Sequence, residues 1–298
     1  MKFAVELLGE RVFCSELSLK EYKEILKITF GDEPSPEIFA VSVCDLLSQL
    51  TNKPSTFFEE LNVYELVSFL IDIRAQSMGN TASVKLTKGE KEYGLELDFI
   101  PFKSKLLQLS NQFKKEIDLG NDVSLVLRPP GVKKLLESAS EEYLYFIAGL
   151  SVRGSFHKIE TVKDASEVFD RLSSRTAKLV LDYFRELIRV SVETNFLDKY
   201  KDFDQKIRFV PSVSSIILFT KVMFNESLSG FYDNIFALAR YGKMNSLYIE
   251  QCTPGEYIYF VKTLQRSLAE RNQANNNETA VDASLSDDTG LDPFGGEP

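Results

Sequence analysis

The chain has no tryptophan and a single histidine, His157. Its three cysteines, Cys14, Cys44 and Cys252, are far apart, and none has a CxxC spacing. A Cys/His zinc cluster cannot be assembled from that supply. Ser/His/Asp or Cys/His chemistry would rest on one imidazole. The odd cysteine count does not form a disulfide framework and suits a reducing compartment, where Cys packs as a small apolar residue. Positive charge is also short: Lys plus Arg is 35 against 44 for Asp plus Glu, a net charge of −9. Such a balance suits a phosphate backbone poorly, so nucleic acid is not an expected partner. Long apolar runs are missing. Ile216 to Phe224 is the longest and is broken by Thr220 and Lys221, well short of the ~20 residues that cross a bilayer. The first ten residues meet a charge at Glu6, which leaves no apolar signal-peptide core. A soluble, cytosolic protein is expected.

Phosphate loops are absent as well. Gly149-x-x-x-x-Gly154 lacks the following Lys-Ser/Thr. The carboxylate pairs Glu59-Glu60, Glu141-Glu142 and Asp287-Asp288 are sequence neighbours, which do not face each other on a helix. No Asp/Glu array has calcium-loop spacing. Nothing therefore points to a cofactor, a metal, a small-molecule substrate or a catalytic residue, and a non-enzyme is expected.

What is present is hydrophobic periodicity. After a short N-terminal strand, Ser18 and Glu21 have capping-box spacing and open a helix with the stripe Leu19, Tyr22, Ile25, Leu26 and Thr29. Ser35-Pro36 opens a second helix with Phe39, Val43, Leu46, Leu47 and Leu50 on its buried face. A third runs from about 62 to 77, with Glu65 in a capping position and Gly79 as its stop. Period two then takes over. Val84 and Leu86, then Tyr93, Leu95, Leu97 and Phe99, alternate with polar residues around a turn at Lys88-Gly89-Glu90. This predicts a β-hairpin. Another strand is expected at Val123, Leu125 and Leu127, ended by Arg128-Pro129-Pro130-Gly131. Helices are expected at about 131–138, 140–149, 164–171 (capped through Asp164 and Glu167) and 174–190, the last with a stripe of Leu181, Phe184, Leu187 and Ile188. Further helices are expected at about 212–224, 228–240 and 254–270. Thr253, Pro254 and Glu256 form the start signal of the last.

The reading is α+β: mostly helical, with a hairpin-containing small antiparallel sheet in the N-terminal part and a small helical C-terminal domain. Residues 1–193 form the α+β domain, 194–210 a polar linker, 211–271 the helical domain and 272–298 a disordered acidic tail. That tail holds six of the nine excess negative charges and no Lys or Arg, too little apolar surface to offset ordering entropy. It reads as a solubilising tail or as a docking peptide anchored by Phe294 within Leu291-Asp292-Pro293-Phe294.

The densest aromatic stretch runs from Phe231 to Tyr241. On a helix, Phe231, Ile235 and Leu238 share one face, with Tyr232, Phe236 and Ala239 beside it. The apolar arc is wider than a surface helix needs. Either this helix is central to a small three-helix core, or Phe231, Tyr232, Ile235, Phe236 and Tyr241 give part of the arc to a partner, as Tyr and Phe do at interface hot spots.

Three segments in order carry a family resemblance. Ile71-Asp-Ile-Arg-Ala-Gln-Ser-Met-Gly-Asn80 leads into the hairpin, and Asp122-Val-Ser-Leu-Val-Leu-Arg-Pro-Pro-Gly131 closes the sheet. Phe224 to Arg240, containing Ser-Leu-Ser-Gly-Phe-Tyr, precedes Tyr248 to Tyr257 with its Pro254-led helix. Over roughly 60–265 the chain resembles the baseplate hub assembly chaperones of T-even-type contractile-tail phages. The resemblance implies a non-enzymatic late protein that helps assemble the hub in the host cytoplasm. Its implied partners are other hub or tail proteins. The alternative it leaves open is a structural subunit retained in the virion baseplate. Where relatives carry cysteine pairs at the hairpin tip, this chain has Lys88-Gly89-Glu90-Lys91, so no metal is implied. The acidic balance would steer the protein toward a basic partner patch.

Overall fold

The computed structural model describes residues 2–31, 35–88, 91–197 and 207–285. It is mostly helical with small antiparallel sheets, the expected α+β class. Strands β1 (Lys2–Leu7) and β2 (Glu10–Ser15) form an N-terminal hairpin where the sequence predicts one short strand. Its turn, Leu8-Gly9, has φ of 52° and 75°. That hand suits a two-residue hairpin, but a leucine rarely adopts it, which conceals the turn from the sequence.

The next helices follow their start signals. In α1 (Leu19–Phe30) the Glu21 carboxylate accepts from the Ser18 N–H at 2.8 Å, and the whole predicted stripe is buried. In α2 (Pro36–Leu50) the Ser35 hydroxyl accepts from the Ile38 N–H at 3.3 Å, and the predicted face is again buried. The short α3 (Ser55–Glu59) follows. Helix α4 (Val63–Met78) is capped by Asn62, whose Oδ1 accepts from the Tyr64 and Glu65 N–H groups at 3.0 and 3.1 Å. Gly79 ends it at φ 92°. Its apolar side chains are buried almost all round, so it is the central helix of the core.

The C-terminal end of α4 is a junction. Arg74 is buried, and its guanidinium donates to three backbone carbonyls: Met223 O at 2.8 Å, Thr81 O at 2.7 Å and Gly79 O. It also lies 4.8 Å from the centroid of the Phe99 ring. Burial lowers its pKa to about 10, so it remains a cation at neutral pH. Ser77 Oγ accepts from the Leu17 N–H at 2.9 Å. Gly255 backs onto the same turn: a Cβ there would lie 2.9 Å from the Ser77 carbonyl oxygen, so a larger residue would push the last helix away.

Strands β3 (Thr81–Lys88) and β4 (Lys91–Asp98) form the predicted hairpin, in register from Thr81↔Asp98 to Lys88↔Lys91. Turn residues Gly89 and Glu90 lie outside the described residues. Ala82, Val84 and Leu97 face the core. Helix α5 (Phe99–Gln112) is not anticipated by the sequence reading, although its signals are there. Asp98 accepts from the Ile100 N–H at 3.0 Å, and Phe102, Leu106 and Leu109 repeat at helical spacing on the buried side.

The strand at Val123 belongs to a separate four-stranded meander of β5 (Lys115–Gly120), β6 (Val123–Leu127), β7 (Ile147–Val152) and β8 (Ser155–Lys158), in that order. The helix expected at 140–149 is therefore incorrect. A 3-10 turn over Glu142–Phe146 leads straight into β7. The run Ile147 to Val152 pairs with β6, and Arg153-Gly154 turns the chain with φ of 50° and 78°. A short apolar run fits helix and strand equally by pattern, and the ladder decides. The helix expected at 131–138 shrinks to one turn, α6 (Val132–Leu135).

Helix α7 (Val162–Phe169) is capped by Thr161, which accepts from the Asp164 N–H at 3.1 Å, so Asp164 sits in the first turn and is not the cap. In α8 (Ser174–Glu193) the buried face is Val180, Tyr183, Leu187 and Ser191. Of the predicted stripe only Leu187 is fully buried, because the face is rotated by about one residue.

The segment 194–210 was expected to be a polar linker. Its described ends are anchored: Phe196, Leu197 and Phe209 are buried. The Phe196 ring lies 5.2 Å from Phe102 and 5.3 Å from Phe219, and Phe209 lies 5.1 Å from Phe219. Residues 198–206 lie outside the described residues. Beyond them come α9 (Val213–Met223), α10 (Leu228–Arg240), α11 (Ser246–Gln251) and α12 (Pro254–Leu285). The helices set apart by the sequence as 211–271 share one apolar cluster with α1, α2 and α4. Helix α12 passes its expected end near 270 and covers 272–285 of the expected tail. The rest of the tail, including Phe294, lies outside the described residues.

The three cysteines are free and buried, and burial pushes the Cys14 and Cys44 thiols up to about 12. No described helix is long and apolar enough to cross a membrane.

Replacing Arg74 by Ala orphans three carbonyls and is expected to cost about 3 kcal/mol or more in urea unfolding. Arg74→Lys should recover less than half of that, because an ammonium cannot spread donors across three carbonyls as a planar fork does.

Candidate partner-binding surface

Glu226, between α9 and α10, positions the surface. One carboxylate oxygen accepts from the Tyr22 hydroxyl on α1 at 2.9 Å. The other accepts from the Tyr257 hydroxyl on α12 at 2.8 Å and from the Asn234 amide on α10 at 3.0 Å. Burial, then the facing carboxylate, pushes both phenols well above their ordinary pKa, so they stay protonated and donate. The Ser227 hydroxyl caps α10 by accepting from the Gly230 N–H at 3.0 Å. With α10 tied down this way, Phe231 and Leu238 are buried. The Phe231 ring lies 6.0 Å from Tyr22 and 5.5 Å from Tyr257.

The predicted contact residues therefore divide. Phe231 belongs to the interior and Ile235 is half-buried against the core. Tyr232, Phe236 and Tyr241 are 45%, 59% and 52% exposed. The helix thus gives one side to the core and another to solvent. Lys23 sits over the Tyr232 ring at 5.4 Å, and Arg240 over Phe236 and Tyr241 at 5.7 and 5.4 Å.

Three further residues extend the same bundle's apolar exterior and were not anticipated. Leu247 and Tyr248 on α11 and Tyr259 on α12 are 66%, 53% and 65% exposed. Tyr259 was legible in principle. It follows the buried Tyr257 by two residues, and two positions on a helix point to nearly opposite sides.

Other candidate chemistry is sparse. His157 is exposed on β8. Glu59 and Glu60 are half-buried, and Glu60 pairs with Lys158. A cleft of about 110 Å³ beside Pro129-Pro130-Gly131 contains the buried Lys134. That volume is below the usual ~300–1,000 Å³ of ligand pockets. The Lys134 ammonium is occupied, donating to Ile147 O at 2.5 Å and Ile159 O at 3.4 Å. Burial lowers its pKa from 10.5 to about 8. Among the described residues no group of His, Cys, Asp or Glu side chains could hold a metal ion.

The arrangement is that of a protein presenting aromatic helical surface from a braced core. The family model described as T4 bacteriophage base plate protein matches residues 1–237, most of the chain. The chain belongs to that baseplate protein family. No curated protein and no solved structure matches it. The matched region ends within α10, so it includes Phe231, Tyr232, Ile235 and Phe236 but not Tyr241, Leu247, Tyr248 or Tyr259.

Two measurements check this description. Glu226→Ala removes the acceptor of three donors and should cost about 2 kcal/mol in urea unfolding. Lys134 gives a pH signature. The unfolded chain keeps its proton up to about 10.5 while the folded chain releases it near 8. Unfolding thus takes up a proton in that window, and stability rises with pH. Urea midpoints at about pH 7 and about pH 10 should show wild type gaining on Lys134→Met.

Proposed function

We propose that this chain is an assembly factor for the central hub of the phage baseplate, acting in the host cytoplasm without making or breaking bonds. It would bind a hub subunit through the exterior of α10–α12 and cover that subunit's apolar surface until its neighbours arrive. The observation that supports this is the exposure of Tyr232 and Phe236 on one braced helix and of Tyr241 at its C-terminal end. Clustered exposed aromatics are costly to leave in water and are the side chains that dominate interface hot spots. Membership of a baseplate family supports tail proteins as the partners.

The test is co-expression of the tagged chain with the neighbouring tail genes, followed by mass spectrometry of what co-purifies. Wild type should retain a hub subunit. The Tyr232→Ala/Phe236→Ala variant should lose at least about tenfold in capture, a hot-spot loss of at least ~1.4 kcal/mol, with helicity by circular dichroism unchanged. Unchanged capture by the folded variant removes this face. Stoichiometric amounts of the chain in purified particles would replace the assembly role with that of a retained baseplate subunit.

A further inference from the structure

The charges beside the exposed rings say what kind of partner the surface fits. Lys23 stands over Tyr232, and Arg240 spans Phe236 and Tyr241. Lys243 follows two residues after Tyr241, exposed and held at φ 53°. None of the three forms an ion pair within the described residues. Lys27, close to Tyr232, is paired with Glu24, and Lys53, Lys103, Lys158 and Arg189, elsewhere on the surface, each have a carboxylate partner. Between Ser227 and Asn245 the charged residues are Asp233, Arg240 and Lys243, a local excess of positive charge in a chain of net −9. Nearby carboxylates are committed elsewhere: Glu226 to its two tyrosines and Asn234, Glu256 to the Thr253 N–H at 2.8 Å. The exposed ones left on α10 and α11 are Asp233 and Glu250.

We propose that the α10–α12 surface accepts an apolar segment rimmed by Asp or Glu, so that the partner patch is acidic. This rests on the reading of that surface as the partner contact, and it reverses the basic patch that net charge alone suggests. A cation standing over a ring has that side turned from water and keeps its outer side for an anion. Rings and cations alternate here, so an acidic-rimmed apolar segment would satisfy both at once. A basic segment would set like charges against Lys23, Arg240 and Lys243.

The test uses the full chain and the hub subunit it captures on co-expression. Carbodiimide joins amines directly to carboxylates. Crosslinks should run from Lys23 or Lys243 to Asp or Glu of the subunit. Arg240→Glu should lower capture about tenfold at ordinary salt, and Arg240→Gln, which removes the charge with little effect on the helix end, should lower it by a smaller factor. Capture indifferent to both variants overturns the proposal, as do crosslinks running only from Asp233 or Glu250 to partner lysines. Crosslinks joining two copies of this chain at these residues would make a second copy the occupant and also overturn it. Capture lost on Tyr232→Ala/Phe236→Ala but indifferent at Arg240 would remove the acidic rim alone. A wild-type chain that captures no tail protein defeats this proposal and the assembly reading together.

Discussion

A half-buried carboxylate that is in no ion pair among the described residues holds three helices in register. Glu226 takes hydroxyls from α1 and α12 and an amide from α10. Those donors come from positions 22, 257 and 234, so the contact is assembled only when distant parts of the chain have met. Its geometric consequence is that Phe231 must point inward, against Tyr22 and Tyr257. An α-helix that buries Phe231 and Leu238 turns Tyr232 and Phe236 outward. The exposed aromatic surface is thus the other side of a well-satisfied core.

Several residues of the segments that carry the family resemblance do interior work. Arg74 ties the end of α4 to the start of β3 and the end of α9 through carbonyls. Ser77 holds the chain entering α1 through Leu17. Gly255 lets the last helix approach that same turn. A guanidinium satisfied by carbonyls, with an aromatic ring against its face, stays buried without a carboxylate. A motif of this kind specifies a scaffold. What the scaffold presents outward is set by other side chains, Tyr232 and Phe236 inside the matched region and Tyr241 and Tyr259 outside it.

Much of the fold was legible where local chemistry acts on its own. Ser18 with Glu21, Ser35 with Pro36 and Thr253 with Glu256 begin helices because a side-chain oxygen or carboxylate satisfies an N–H within a few residues. The β3–β4 hairpin was legible from alternation and turn residues. The stretch 140–149 reads as helix because its short apolar run fits either pattern, and the ladder that makes β7 a strand joins it to β6, some twenty residues earlier, as well as to β8, which follows directly. Helix α5 has both cap and stripe, but they follow directly on the alternating pattern of β4, which runs on through Phe99. The candidate surface was half legible. The wide apolar arc was visible in the sequence, but the division of its rings between core and water was not.

The sequence by itself determined which side chains are on hand: one histidine, three scattered cysteines and no apolar run of the ~20 residues that cross a bilayer. It also determined most helix starts, since capping and periodicity act over three or four residues. Only the tertiary structure decided that Phe196 and Phe209 anchor a segment that reads as a linker. It alone decided that Glu226 braces α10 against Tyr22 and Tyr257 and that Lys23 stands over the Tyr232 ring. These depend on contacts between residues tens to hundreds of positions apart, whose pairing no local pattern encodes.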